Sequence, residues 1–171
     1  MATTYKLIDK TTLTGTQASV TFSSIPNTYT DLLLKVSARD DNSASANGSF
    51  YTIGFNGSTT GFTARYLRGT GSAVTSASFA QYAGNSVTTA QTASTFSNDE
   101  IYIPNYAGSN NKSYSSDAVV ETNATGAFAT LIAGLWSNTA AITSVKIEAA
   151  NSGANLFQIG SSFYLYGIKN S

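Results

Sequence analysis

The chain of 171 residues contains neither cysteine nor histidine. Catalysis by Ser–His–Asp or Cys–His arrangements is therefore excluded, as are zinc sites built on thiolate or imidazole ligands. Disulfides are excluded too, so the fold must be stabilised by packing or by oligomerisation. The isolated GxG step at Gly69–Gly71 has no helical pattern after it, which is typical of a turn and not of a phosphate-binding loop.

Charge is also scarce: nine basic and nine acidic residues cancel, and only 11% of the chain is charged. Nucleic-acid binding requires a basic face, and the cations here are scattered, so we expect no nucleic-acid partner. No apolar run approaches the ~20 residues of a membrane span, so we expect no membrane partner. The N-terminus lacks the apolar core and cleavage site of a secretory signal, which predicts folding in a cytoplasm.

Carboxylates remain as candidates for chemistry, but their spacing is unfavourable. Asp99 and Glu100 are adjacent in a strand pattern, so their side chains are expected on opposite faces and not around one sugar bond. Asp40 and Asp41 share a loop with Asn42 but lack the spacing of a calcium-binding loop. We interpret all four acids as solvated and predict no catalytic residue, no metal site and no cofactor.

What the sequence does contain is typical of β-structure: little charge and many threonine, tyrosine, valine and glycine residues. Apolar residues alternate with polar ones in about ten segments separated by turn signals. The predicted strands are Tyr5–Asp9, Ala18–Phe22, Asp31–Arg39, Ser49–Phe55, Phe62–Arg68, Phe96–Ile103, Tyr114–Thr122, Ala127–Trp136, Ile142–Ala149 and Ser162–Ile168.

The segment Ala127–Trp136 fits two patterns. At helical spacing, one face would carry apolar residues; these are Phe128, Leu131, Ile132, Leu135 and Trp136. Gly126 and Gly134 disfavour a helix, and the surrounding segments alternate as strands do. We therefore predict a strand with apolar residues on both faces, covered by a second sheet or by another subunit.

These patterns predict an all-β fold: one domain over residues 1–171, built as an antiparallel β-sandwich. Long connections between the strands favour a jelly-roll-like arrangement. The segment Gly69–Thr95 is small and polar, and it can be assigned only as a long loop with one or two short strands.

Aromatic residues are the remaining candidates for a binding surface. The candidate protein-interface residues are Tyr102, Tyr106, Trp136, Tyr164 and Tyr166. Tyrosines in a protein of low charge can form protein interfaces or stack on sugars. The alternative is that these rings pack within the sandwich.

Four segments together resemble small virion structural proteins of tailed bacteriophages, especially phages of cyanobacteria and other aquatic bacteria. The similarity covers most of the chain and is weakest in Gly69–Thr95. The segments are YKLIDKTTLTGTQASVTFSSIPNTYTDLLLKVSAR, EIYIPNYAGSNNKSYSSD, AGLWSNTAAITSVKI and SSFYLYGIKNS.

The resemblance implies a non-enzymatic β-sandwich of the virion, assembled in the host cytoplasm, and such proteins are often homotrimers. One expected role is a capsid decoration, or cement, protein that binds the major capsid protein. The alternative is a tail-fibre or appendage subunit that binds a receptor or host-surface glycan through loops such as Asp40–Gly48. A first strand by Tyr5, with no adaptor or shaft before it, favours the shell.

Overall fold

The structure, a computed structural model, describes residues 4–123, 126–151 and 153–169. Within these ranges, no helix is long and apolar enough to cross a membrane. The same residues form thirteen strands: β1 (Tyr5–Thr12), β2 (Ser19–Phe22), β3 (Asp31–Ser37), β4 (Arg39–Asp40), β5 (Ser49–Phe55), β6 (Phe62–Gly69), β7 (Val74–Phe79), β8 (Tyr82–Thr88), β9 (Asn98–Ile103), β10 (Lys112–Val120), β11 (Phe128–Trp136), β12 (Val145–Glu148) and β13 (Ser162–Ile168).

The strands form two sheets of unequal width. The large sheet has the order β1-β13-β3-β9-β10-β11-β6-β7, and the small sheet has the order β2-β12-β5-β8-β4. Neighbours are antiparallel except β4 and β8, which pair in parallel over the two residues Arg39 and Asp40. The prediction of an all-β sandwich is confirmed, and the large sheet ends in β1 on one side and β7 on the other.

The segment with two possible patterns forms strand β11, so the helical alternative is wrong. Trp136 lies opposite Lys112 of β10 on one side and opposite Phe62 of β6 on the other. A helix at this position would leave the backbone groups of β10 and β6 that face β11 without partners, although β10 would still pair with β9 and β6 with β7. The need to satisfy those backbone groups therefore decides in favour of the strand.

The predicted strand Asp31–Arg39 is divided between the two sheets. Strand β3 ends at Ser37, and the carbonyl of Ala38 accepts hydrogen bonds from the N–H groups of Val87 (3.1 Å) and Ser97 (3.0 Å). The chain then enters the small sheet as β4. Ala38, where the chain passes from the large to the small sheet, is buried. The alternation of apolar residues therefore continues through it, and the sequence gives no sign that β3 ends and β4 begins there.

The core lies between the sheets and is built by inward-facing residues of both. Trp136 is its largest buried side chain, and it stacks on Phe62 with the ring centres 5.9 Å apart and the planes 19° apart. Phe55 of the small sheet approaches Trp136 edge-on at 5.6 Å and the Tyr114 ring at 6.2 Å. These contacts join the two sheets at one end of the sandwich.

The unassigned segment Gly69–Thr95 contains strands β7 and β8. Every residue of β7 is exposed, whereas every residue of β8 is buried. Neither strand produces an alternating pattern, because alternation requires one buried and one exposed face. The buried positions of β8 include the polar residues Asn85, Ser86 and Thr88, and residues of this kind are typical of loops.

Two buried cations hold neighbouring loops through backbone carbonyls. The guanidinium of Arg39 donates to the carbonyl oxygens of Thr92 (2.8 Å), Thr95 (3.2 Å) and Gln91 (3.2 Å). The ammonium of Lys112 donates to three more carbonyls; they belong to Gly108 (2.6 Å), Asn110 (2.5 Å) and Thr139 (3.3 Å). The loop after β8 is thereby fixed to β4, and the loop before β10 to the strand that follows it.

Candidate functional site

The outer face of the large sheet has no covering layer among the described residues. Along β11, the inward side chains are buried, whereas Ala129, Leu131 and Ala133 on the opposite face are exposed. The second sheet therefore covers only one face of this strand, and cover of the other face by another subunit stays a prediction. One face packs on the small sheet, and the other faces solvent.

The half of this face formed by β11, β6 and β7 is apolar; we call it the apolar half. Leu131 is 58% exposed, Leu67 of β6 is 49% exposed, and Val74 of β7 is 72% exposed. The register places Leu131 opposite Leu67, and Leu67 opposite Ser76 of β7. Three adjacent strands thus present apolar or small side chains in one row.

Two depressions mark the apolar half. One has a volume of about 610 Å³, and its walls include Phe79, Arg65, Leu135 and small residues such as Ala133. The other, of about 330 Å³, lies beside Leu131. The Arg65 guanidinium donates to the Ser78 hydroxyl at 2.7 Å. Grooves lined mostly by uncharged side chains, with Arg65 as the charged exception, suit contact with another protein surface.

The other half, on β1, β13, β3 and β9, carries exposed and half-buried tyrosines around an ion pair. Lys35 lies 2.8 Å from Glu100, and the hydrogen bond and charge of Glu100 raise the pKa of Lys35. Two depressions of about 330 and 290 Å³ share this pair; Tyr102 borders the first, and Tyr5 and Tyr166 border the second. We call this surface the tyrosine half.

Three of the five candidate interface residues lie on the tyrosine half. Tyr164 and Tyr166 stack at 6.5 Å with an angle of 19° between the rings. The Tyr102 hydroxyl donates to Asp31 at 2.8 Å, and that hydrogen bond is the main cause that raises the pKa of Tyr102. Their role in an interface stays a prediction.

The other two candidates are core residues, and the interface interpretation is wrong for them. Trp136 is 2% exposed and Tyr106 is 0% exposed. The Tyr106 hydroxyl donates to the carbonyl of Pro26, which anchors the turn after β9 to the segment before β3. A side chain enclosed by its own chain has no surface for a partner.

The sequence predicted a second apolar face on β11 but not that this face extends over β6 and β7. Leu67 and Leu131 look like core residues, because leucine on a strand is usually buried. Leu131 and Leu135 do alternate with Thr130, Ile132 and Trp136, and that second apolar face was the available signal. Which face the core would take is decided only by the partner sheet.

A buried polar cluster lies beneath the centre of the large sheet, and it includes Asp99. Its carboxylate accepts from the backbone N–H groups of Asn85 (2.9 Å) and Val119 (3.2 Å). The buried Tyr51 hydroxyl faces the same group without full hydrogen-bonding alignment. Burial raises the pKa of Asp99 to about 8, although these hydrogen bonds lower it.

Two of the four acids interpreted as solvated are in fact buried. Asp99 is one, and Asp40 is the other: it accepts from the Ser86 hydroxyl at 2.8 Å, and burial raises its pKa. The prediction that Asp99 and Glu100 point to opposite faces is confirmed, since Glu100 is exposed on the tyrosine half. The buried acids have no open path to a substrate through the sheets, so we interpret them as structural.

The raised pKa of Asp99 predicts a pH-dependent stability. The folded chain keeps a proton that the unfolded chain releases near pH 4, so the contribution of this carboxyl group to stability is greatest below that pH. It declines as the pH rises to about 8, by up to about 1.4 kcal/mol per pH unit. Urea unfolding at several pH values measures this slope. Asp99→Asn removes the titrating group, and equal slopes in the two proteins would mean that Asp99 is ionised when folded.

Comparison with family models, with curated proteins and with solved structures finds no match. Among residues 4–123, 126–151 and 153–169, no three acidic side chains lie close enough to hold a metal ion. The resemblance to phage virion proteins therefore stays a prediction, together with the shell partner and the trimer that it implies.

Proposed function

We propose that this chain is a non-enzymatic virion protein of a tailed bacteriophage that decorates the capsid. It is assembled in the host cytoplasm, binds the major capsid protein of the completed shell, and stabilises the shell against internal pressure. The apolar half of the large sheet is the surface that contacts the shell. The four segments that resemble phage virion proteins support the assignment to a particle, and the β-sandwich is the fold that such a protein is expected to have.

The observation that carries the role is the exposure of three large aliphatic side chains on neighbouring strands of one sheet face: Leu67, Val74 and Leu131. Folded chains bury most side chains of this size; here Leu131 lies opposite Leu67, and Val74 lies opposite Gly69, two residues along β6 from Leu67. Transfer of such side chains from water to a protein interface contributes about 25 cal/mol per Å². A rigid sheet avoids the cost of ordering loops on binding, but the loss of translational and rotational freedom still offsets part of this contribution.

Binding of the purified protein to expanded shells made without it tests the proposal. We expect ordered density at symmetry axes or between capsomers by cryo-electron microscopy. Leu131→Lys places an ammonium group in the centre of the patch, and we expect at least about a tenfold loss of shell occupancy, because a buried unpaired charge costs several kcal/mol. Thr21→Lys adds the same charge on the exposed face of the small sheet and should bind as the wild type does.

Equal loss in both variants would point to a general charge effect and away from this surface. Bare shells, at protein concentrations that saturate the sites, would contradict the decoration role. Thermal unfolding of both variants serves as the folding control. Since both positions are solvent-exposed, we expect the two midpoints to lie close to that of the wild type.

The tyrosine half favours a second candidate, an appendage subunit that binds a host-surface glycan. Tyr5, Tyr102 and Tyr166 border depressions that contain the Lys35–Glu100 pair. Sugars bind where an aromatic ring covers the apolar ring face and nearby polar groups accept or donate to hydroxyls. Location discriminates between the candidates: a decoration protein occurs in hundreds of copies over the shell, whereas an appendage subunit occurs in few copies at a tail or vertex.

A further inference from the structure

The edge strand β7 has an unpaired side that is unusually open. It pairs with β6 through the register from Gly69–Val74 to Ala64–Phe79, and it is the last strand of the large sheet. All six of its residues, VTSASF, are exposed, and none is charged or proline. Edge strands normally carry charge, proline or a bulge, because bare backbone groups attract another strand.

The opposite edge of the same sheet shows such protection. Strand β1 carries Lys6, Asp9 and Lys10, and its register shifts between Leu7 and Asp9, which indicates a bulge. A bulge and charges of both signs oppose the addition of a regular strand. The two edges of one sheet therefore differ: β1 is blocked, and β7 is available.

The hydrogen-bond pattern of the β6–β7 hairpin shows which backbone groups of β7 make no hydrogen bond to β6. Thr70 N–H donates to the Ala73 carbonyl at 3.0 Å, so these two residues form a hydrogen-bonded pair. In an antiparallel ladder such pairs alternate along the strand. The N–H and C=O groups of Val74, Ser76 and Ser78 consequently point away from β6, where the described chain has no further strand.

We propose that β7 pairs antiparallel with β7 of a second copy, on a two-fold axis at Ser76. Ser76 then lies opposite Ser76 of the other copy, and Val74 lies opposite Ser78, which forms about six backbone hydrogen bonds. An isologous contact needs a surface that is complementary to itself. A strand without charge and with serine at its centre meets this condition, since no like charges face each other across the axis.

The dimer follows from β7 alone and does not depend on the proposed shell contact. It closes at two copies, in contrast to the trimer that the resemblance implies. The row Leu131–Leu67–Ser76 would continue across the two-fold axis into the same row of the second copy. The apolar halves of the two copies would therefore form one surface. A single strand pair is smaller than the about 800 Å² per partner of a stable interface, so the dissociation constant should be micromolar.

Sedimentation equilibrium of the wild-type chain between about 1 and about 300 μM spans the expected dissociation constant. We expect the average mass to rise from one chain towards two. Ser76→Pro removes one outward N–H, which an edge strand tolerates on its solvent side, and should weaken association at least about tenfold. Ser76→Ala keeps that N–H and should associate as the wild type does.

Charges introduced at Ser76 test the register even if the proline variant fails to fold. Ser76→Lys and Ser76→Glu each place like charges at the axis and should sediment as monomers, whereas their equimolar mixture should form dimers again, because opposite charges then face each other. A monomeric wild type at the highest concentration, a trimer, or proline, lysine and glutamate variants that each associate as strongly as the wild type would overturn the proposal. Failure of the protein to bind the shell would not contradict the proposed dimer.

Discussion

Replacement of Trp136 by alanine should lower the free energy of unfolding by about 3–5 kcal/mol, the range for large aromatic residues removed from a packed core. The side chain contacts Phe62 and Phe55, which belong to different sheets. Its removal would leave a cavity where the sheets meet. A rigid β framework cannot collapse into that space without breaking strand register.

Urea unfolding followed by circular dichroism measures this loss, since the variant lacks the tryptophan that fluorescence would follow. Leu131→Ala is the matched control, because it removes a large apolar side chain from the outer face of the same strand. We expect that control to change stability by no more than about 0.5 kcal/mol. A small effect of Trp136→Ala would contradict the assignment of this residue to the core.

Gly134→Ala should be the second large perturbation, at about 3 kcal/mol or more. Gly134 lies opposite Tyr114 in the β10–β11 ladder, and a methyl group there would overlap with the tyrosine ring. Tyr114 cannot move aside easily, because it is buried and its hydroxyl donates to the Tyr82 carbonyl at 2.9 Å. The glycine is therefore required for close approach, not for an unusual backbone angle.

Gly69→Ala provides the control for this substitution. Gly69 ends strand β6, and nothing lies within 4 Å of the position that its Cβ would occupy. The same chemical change should therefore leave the unfolding midpoint nearly unaltered, or raise it slightly through the lower entropy of the unfolded chain. Trp136 fluorescence follows unfolding of both variants, and similar midpoints would show that the Tyr114 ring yields to the methyl group.

Strand positions were predictable wherever one face of a strand is buried and the other is not. Ser49–Phe55 and Ser162–Ile168 were predicted with the bounds that the structure has. Strands β7 and β8 were not predicted, because β7 is exposed and β8 is buried at every position. In both cases the environment is uniform, so the period of two that identifies a strand is missing.

The candidate surface was predicted only in part. Tyr102, Tyr164 and Tyr166 lie on the outer face, but a tyrosine in a strand pattern carries no sign of which side the core will take. Trp136 carries the same kind of pattern and is buried, and Tyr106, in the turn after β9, is buried as well. The distinction depends on which face the second sheet covers, and that contact joins residues far apart in the chain.

The buried charges illustrate the same limit. Arg39 and Asp99 occur in ordinary strand contexts, and a charged residue is usually solvated. Their burial is possible because distant backbone groups are arranged around them: the carbonyls of the loop after β8 around Arg39, and the N–H groups of Asn85 and Val119 around Asp99. No local pattern encodes those partners.

By itself, the sequence determined the absence of thiol and imidazole chemistry, the β class, and most strand positions. These follow from composition and from the alternation of neighbouring residues, which are local properties. Only the tertiary structure decided that Trp136 faces the core while Leu131 faces solvent, and that β7 is an open edge while β1 is not. Those outcomes depend on how the strands are ordered in the sheets, and that order is set by contacts between residues remote in sequence.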